Sequence, residues 1–527
     1  MSLQMRHLLI VRLRICLSCI LIQMIAYFFL SSNSQAISYP ILSQRELLAR
    51  CYIQITGNRL GFSSDLWERL KNENATSICY SLLKNLSFDD QGMLTQSESK
   101  LNRSILKQFI DFHRTWFAQQ WSQDNSFPET FWGGVDVYDP QEPALFLTRN
   151  LILEQSYSKV IFGKSTAVAI RDGSKLKEKL SSDADGFLRA SRILNSHEGP
   201  IINSNNIFYA NPEAPSDKDY KFLPSPLIQI GEPVGIKLVS YLEGPLLPTI
   251  WTGVNSNSLN AFPQGFMLPY PYLANHGGGA LGSIPYIMFN FGHGFDFKAD
   301  GAAKLPRRYI LSVFKNLLCR QGPFLRSSDV SSWKTDLIDS PAFRKSESCL
   351  RCHVTLDQAS LVLRNFRLGS TTNGLAGNND YRSPPILAKY ESDENVSINE
   401  FWPKVAQSDF YKTKANGVLY FRSITGDLIN FQMDSLETLG QSLATTPDYY
   451  ACAAKRYFEF FTHNKVELYD PGDPSNEQLN ESLTPHDHEM KQFVLSLGKE
   501  LKNNGSLKKM VKRIIDSDFY SRGNFGL

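Results

Sequence analysis

Cys349, Leu350, Arg351, Cys352 and His353 form one C-x-x-C-H run. Two thiols stand two residues apart and an imidazole follows at once. That spacing lets both thiols form thioethers with the two vinyl groups of a single haem, while the histidine lies against the iron as an axial ligand. Chance accounts for the run poorly. A chain with 8 Cys and 9 His in 527 residues yields roughly 0.002 such runs from composition alone. The competing chemistry is a zinc half-site. Zinc needs two further ligands at close spacing; the other C-x-x-C, Cys16-Leu17-Ser18-Cys19, falls in the N-terminal apolar run, and no pair of histidines stands three to five residues apart.

A haem bound this way has a second axial position. Met or His there gives a low-spin, electron-transferring iron, and an open position permits chemistry. Met433 is the first candidate, because it follows the haem segment and precedes a helix; the alternative is that it packs in the core. His463 at a helix end is second and His293 between two glycines is third. His486 and His488 stand in a polar stretch and read as exposed.

Covalent haem is attached outside the cytoplasm, so an export signal is expected. Arg6, Arg12 and Arg14 precede an apolar run over residues 15–30, and Ser34-Gln35-Ala36 suits signal cleavage. The mature chain would start near Ile37, be periplasmic or secreted, and have no stable membrane span. An uncleaved anchor is the alternative, and a run of sixteen residues is short for one. The whole chain carries 55 Lys+Arg against 52 Asp+Glu, and the signal holds three of the arginines and no acid. The mature charges therefore balance, and no basic surface for nucleic acid is expected.

Cys16 and Cys19 leave with the signal, and Cys349 and Cys352 are assigned to haem. Cys51, Cys79, Cys319 and Cys452 remain, an even set in an oxidising compartment, where four cysteines allow three pairings. The pairing expected is Cys51–Cys79 with Cys319–Cys452; the alternative is four buried thiols. The first bridge would close a loop worth roughly 3–4 kcal/mol of unfolded-chain entropy. The second would tie the segment before the haem run to a helix after it.

Helical periodicity predicts helices in 41–122, notably 42–55 and 101–121, and again at 307–319, 356–366, 435–444, 451–462, 489–502 and 506–516. Between 125 and 300 the period breaks. Short strands are expected at 167–170 and 235–239, with loops at 124–142 and 212–226. Residues 368–400 read as a polar insertion, and 417–424 with 428–432 as a hairpin turning at Gly426-Asp427. Two glycine patterns invite a phosphate reading. Gly277, Gly279 and Gly282 match G-x-G-x-x-G, but Pro285 would interrupt the helix that motif requires. Gly163-Lys164-Ser165 resembles the end of a P-loop, but Ser158 stands where its first glycine belongs. A faint repeat links Arg50–Thr56 with Arg456–Thr462, and residues 82–88 with 514–519.

Taken together, Arg307-Arg308, Leu317-Leu318-Cys319, the C-x-x-C-H run with Leu356-Asp357, Leu439-Gly440, Leu443-Ala444 and the helix from Cys452 to Phe461 resemble the planctomycete-type secreted cytochrome family. Proteins of that family are built from consecutive domains of unknown function around one C-x-x-C-H. The resemblance covers mainly 306–527. It lacks the usual Pro after Asp357 and the usual Gly-Arg after the last aromatic helix, where His463-Asn464-Lys465 stands. It implies export and one haem c, without a substrate.

The expected architecture is mainly α and multidomain, with an irregular central region containing some β and a cytochrome-c-like module in the C-terminal half. Its divisions are a signal peptide (1–36), a helical domain (37–124), a mixed domain (125–305), a haem c module (306–466) and C-terminal helices (467–527). The expected function is that of an exported monohaem c-type cytochrome, with Cys349, Cys352 and His353 holding the haem, that transfers electrons with a partner redox protein. The alternatives are an oxidoreductase with an open iron below a pocket in the central region, or a secreted binding protein with a structural haem.

Overall fold

A computed structural model describes residues 40–117, 141–171, 206–208, 222–224, 232–239, 275–283, 286–287, 290, 297–337, 342–363, 366–369, 386–389 and 415–522. The expected signal segment (1–36) and His293 lie outside these residues, as do most of 124–142, 212–226 and 368–400.

Ser43 opens the first helix, α1 (Gln44–Thr56), with a capping box. Its hydroxyl accepts from the Glu46 N–H, and the Glu46 carboxylate accepts from the Ser43 N–H. Leu47, Leu48, Cys51 and Ile55 form its buried stripe. The disulfide Cys51–Cys79, with Cα atoms 6.0 Å apart, ties it to α2 (Ala75–Lys84). Next comes α3 (Lys100–Arg114), which buries Ile105, Leu106, Phe109, Ile110, Phe112 and His113.

The expectation of irregular structure after 125 fails at α4 (Glu142–Leu153). Glu142 through Leu147 are all buried, as are Thr148 and Asn150 through Ile152. A helix covered on nearly every side shows no polar face, so its sequence shows no helical alternation. Beyond it β1 (Thr166–Arg171) is a strand, as its apolar run predicts. A short pair, β2 (Asn206–Phe208) and β3 (Phe222–Pro224), crosses part of the expected loop at 212–226. β4 (Pro233–Val239) pairs antiparallel with β1, Thr166 opposite Val239 and Ile170 opposite Gly235.

Helix α5 (Phe297–Leu317) leads to Cys319, whose disulfide with Cys452 has Cα atoms 5.2 Å apart. Both expected cysteine pairings are therefore present. Helix α6 (Glu347–Ser360) differs from expectation: it starts before the C-x-x-C-H run and contains it. A 3-10 turn over Leu361–Leu363 ends it, and Phe366 opens β5 (Phe366–Gly369), which pairs with β6 (Ile386–Lys389). The expected hairpin forms from β7 (Gly417–Arg422) and β8 (Leu428–Met433). It closes by the Ser423 N–H donating to the Asp427 carbonyl, with Gly426 at φ +83°.

The C-terminal helices are α7 (Leu436–Leu443), α8 (Pro447–Thr462), α9 (Pro485–Asn504) and α10 (Leu507–Ile515). All strands sit in two-stranded antiparallel sheets, so the described chain is mainly helical. One apolar core runs from Leu47 to Tyr520 and draws on α1 to α5, β1, β7 and α7 to α10. Among the described residues no helix is long and apolar enough to cross a membrane.

The faint sequence repeat has a geometric counterpart. Thr56 Oγ1 donates to the Tyr52 carbonyl and accepts from the Asn58 N–H, at 2.7 and 3.1 Å. Thr462 Oγ1 does the same with Phe458 and Asn464, at 2.7 and 3.2 Å. Each helix then ends in a left-handed residue, Gly57 at φ +70° and His463 at φ +60°. The two helices touch through the Gln54 amide, which donates to the Phe461 carbonyl at 2.8 Å. Their partners α2 and α10 meet where Lys508 Nζ donates to the Leu86 carbonyl at 2.9 Å.

Candidate haem-attachment site

Helix α6 can carry the run because its other residues anchor it. Leu350 and Val354, four apart, are buried against Leu325 and Val330 with Tyr420 alongside. Thr355 Oγ1 donates to the Tyr420 carbonyl at 2.6 Å, which fastens the helix to β7. Arg351 occupies the variable interior of the run and acts as an anchor. Its Nε donates to the Leu325 carbonyl at 2.7 Å, and its Nη2 reaches Ser475 Oγ at 3.0 Å and pairs with Asp473. The stretch 320–325 is laced between α6 and β7: the Phe324 N–H donates to the Arg351 carbonyl, and the Arg422 N–H donates to the Phe324 carbonyl. Gly322, at φ +88°, lies so close to Cys352 that a Cβ there would come within 3.1 Å of its Sγ.

With the helix so held, Cys349, Cys352 and His353 fall at i, i+3 and i+4 and share one face. Both thiols are half-buried and unpaired, while Cys51, Cys79, Cys319 and Cys452 are all bridged. Burial pushes the Cys352 thiol up, against the pull of Arg351. The His353 side chain is 33 % exposed. The Phe343 ring lies nearly parallel to its imidazole, with centroids 4.4 Å apart and planes at 24°. Asp357, one turn on, places Oδ1 3.7 Å from His353 Nδ1, which has no hydrogen bond. Arg307 from α5 pairs with the same Asp357 oxygen and holds its guanidinium carbon 5.6 Å from the Phe343 ring centre.

The structure thus brings Cys349, Cys352 and His353 together and adds three residues to them. Asp357 was legible in principle, at i+4 from the histidine on a helix. Arg307 and Phe343 were not, because each comes from a different element, Phe343 to the imidazole and Arg307 to Asp357 and Phe343. The other candidate ligands lie elsewhere. Met433 ends β8, is 2 % exposed and belongs to the main core. Its cross-strand neighbour Gly417 abuts Val362 and the Gln358 carbonyl, near the far end of α6 from the cysteines. His463 caps α8 with Nε2 3.4 Å from the Gln54 amide, and burial lowers its pKa. His486 is half-buried, with its ring 5.7 Å from that of Phe519, and His488 is exposed. Among the described residues, no group of three or more His, Cys, Asp or Glu side chains is arranged to hold a metal ion. A haem asks less of the protein, since its own ring supplies four of the iron's ligands.

The glycine patterns have a structural role. Glu437, in the first turn of α7, accepts from the Gly163 N–H at 3.0 and 3.2 Å and from the Gly278 N–H at 2.7 Å. Both loops are thus drawn to one internal carboxylate, which occupies the amides a phosphate would need. Gly278 is at φ +80°, and a Cβ there would meet the Leu436 carbonyl oxygen at 2.5 Å.

No protein-family model matches the chain, and no curated protein or solved structure matches it either.

Proposed function

We propose that the chain is an exported c-type cytochrome that holds one haem on α6 and exchanges electrons with a partner redox protein. The observation that carries this reading is how the cysteines are used. Four are bridged, while two stay as thiols on one helix face, followed directly by a part-exposed imidazole. The residues fit the group. Cys349 and Cys352 would hold it as thioethers, each adding S–H across a vinyl double bond with no oxidant needed. His353 would supply the axial nitrogen. When bound, the haem supplies a one-electron iron couple. The resemblance of 306–527 to the planctomycete-type cytochromes and the C-x-x-C-H run support the same assignment.

The chain's own residues set the imidazole. A histidine bound to a metal through Nε2 commonly gives its Nδ1 proton to a carboxylate. Asp357 faces Nδ1, and a closure of less than about 1 Å makes that hydrogen bond. Phe343 blocks rotation of the ring on one face. Arg307 pairs with Asp357 and holds it in place. Anchoring by Arg351 and Thr355 holds the helix against neighbours of its own domain, so the geometry of the face is set before any group arrives.

The test is the alkaline pyridine spectrum of protein made with a haem-maturation system. A c-type haemochrome that is lost in Cys349→Ala/Cys352→Ala supports the proposal. Absence of covalent haem overturns it. The native spectrum then separates a six-coordinate electron carrier from an open iron.

A further inference from the structure

The repeated Arg-x5-Thr segment places two arginines in like positions, and their surroundings differ. Arg50 is held by three carbonyls: Nη1 donates to those of Tyr520 and Arg522 at 2.9 and 3.0 Å, and Nη2 to that of Phe461 at 2.7 Å. Arg456 donates through Nη2 to one carbonyl, that of Lys315, at 3.2 Å, and lies over the Trp116 ring with its guanidinium carbon 5.1 Å from the ring centre. Among the described residues no carboxylate stands within ion-pair distance of it, and its Nε is buried without a partner. Burial pulls the guanidinium down to about 10, and Glu459 offsets that only in part. A sequestered cation with an unused donor is costly unless something completes it.

A second unused donor lies beside it. Trp116 is 1 % exposed, and its indole Nε1 is buried with no partner. Both residues wall one open cleft of about 430 Å³ between α3 and α8. Phe112 and Phe460, with ring centroids 4.2 Å apart, give it an apolar wall. The two acids at the cleft are committed elsewhere. Asp111 is paired with Lys107 at 2.6 Å. Glu459 is paired with Lys455 at 2.7 Å and accepts from the Val466 N–H at 3.0 Å. The wall of the cleft therefore holds two unpartnered, buried N–H donors, one of them cationic, beside two aromatic rings. Its volume is in the range of small-molecule sites.

We propose that this cleft binds a small organic carboxylate with a flat apolar body. Its oxygens take the Arg456 guanidinium and the Trp116 indole N–H, and its body lies against Phe112 and Phe460. A guanidinium suits a carboxylate better than a neutral acceptor, because the hydrogen bond is charge-assisted. The site does not depend on haem.

The experiment is calorimetric titration of the full-length exported protein with benzoate and 2-naphthoate, and with benzamide as the neutral isostere of benzoate. Saturable one-site binding of at least one carboxylate is expected, with benzamide about tenfold weaker than benzoate or worse. Arg456→Gln should lower carboxylate affinity by about tenfold or more, and Trp116→Phe, which keeps a ring but removes the N–H, by several-fold. Circular dichroism and a cooperative melt establish that each variant folds. If Arg456→Gln does not fold, Trp116→Phe and the benzamide comparison decide. No saturable binding of either carboxylate, or benzamide binding as tightly as benzoate, overturns the proposal and leaves the two donors to ordered water.

Discussion

Arg320 and Asp448 give the sharpest stability prediction. The pair joins the stretch before α6 to the first turn of α8, beside the Cys319–Cys452 bridge. Its side chains are 5 % and 0 % exposed, and Arg320 Nη1 donates to Asp448 Oδ1 at 2.9 Å. The carboxylate also accepts from the Ile424 N–H with both oxygens at 3.2 Å, and Arg320 also donates to the Arg422 carbonyl at 3.0 Å. Burial raises the Asp448 carboxyl even though the guanidinium pulls it down. The attraction within the intact pair therefore does not fully offset its burial, and breaking it is what costs. Asp448→Ala leaves a buried cation and an unsatisfied Ile424 N–H, for about 3–5 kcal/mol in all. Arg320→Met should cost a similar amount by stranding the carboxylate. Arg320→Met/Asp448→Leu removes both charges and should cost well under the sum, with a coupling of about 2–3 kcal/mol. Urea denaturation under oxidising conditions gives the four values, provided the slopes agree. Single variants that lose less than about 1 kcal/mol, or a double variant that is simply additive, would refute this account of the buried pair.

Other consequences can be checked alongside. His113 is fully buried, with Nδ1 2.8 Å from Thr148 Oγ1 and Nε2 2.6 Å from the Tyr457 hydroxyl, and burial lowers its pKa to about 3. Because the unfolded imidazole takes up a proton below about pH 6.5 and the folded one does not, stability should fall by about 1.4 kcal/mol per unit as pH drops from there towards 3. His113→Gln should remove that slope in denaturation curves measured across pH. Replacing Cys319 and Cys452 by Ala should cost about 5 kcal/mol and replacing Cys51 and Cys79 about 3.5 kcal/mol in the chain-entropy model, so the first pair of substitutions should lower the melting temperature more. Glu437→Ala should cost about 2 kcal/mol by stripping the acceptor from the Gly278 and Gly163 amides, and Glu437→Gln, which keeps one oxygen, should cost less. In haem-loaded protein, Asp357→Asn should raise the midpoint potential, because a weaker partner at Nδ1 makes His353 a poorer donor to the oxidised iron. An unchanged potential with the haemochrome intact would leave Asp357 no part in tuning.

What the sequence determined by itself is what rests on nearest neighbours and short periods. C-x-x-C-H needs only five adjacent residues, so the grouping of two thiols and an imidazole on one short segment was readable. The hairpin at β7 and β8 follows from alternation broken by Gly426-Asp427, and α1, α3 and α8 follow from amphipathic stripes. Which four cysteines could pair was legible by elimination, once the motif and the expected signal had claimed their share, but three pairings of that set were open and the fold selected Cys51–Cys79 with Cys319–Cys452. The tertiary structure alone decided matters that depend on distant groups. Helix α4 was hidden because burial on nearly all sides erases the polar face that marks a helix. Helix α6 begins before its cysteines because Leu350 and Val354 find Leu325, Val330 and Tyr420 to pack against. Phe343 meets His353, and Arg307 meets Asp357 and Phe343, only because α5 and the turn before α6 converge there. The glycine loops close on Glu437 across more than 150 residues of chain. Arg50 and Arg456 share a sequence pattern, yet the one donates to three carbonyls and the other to a single carbonyl, because satisfaction of a buried donor depends on what the fold places opposite it.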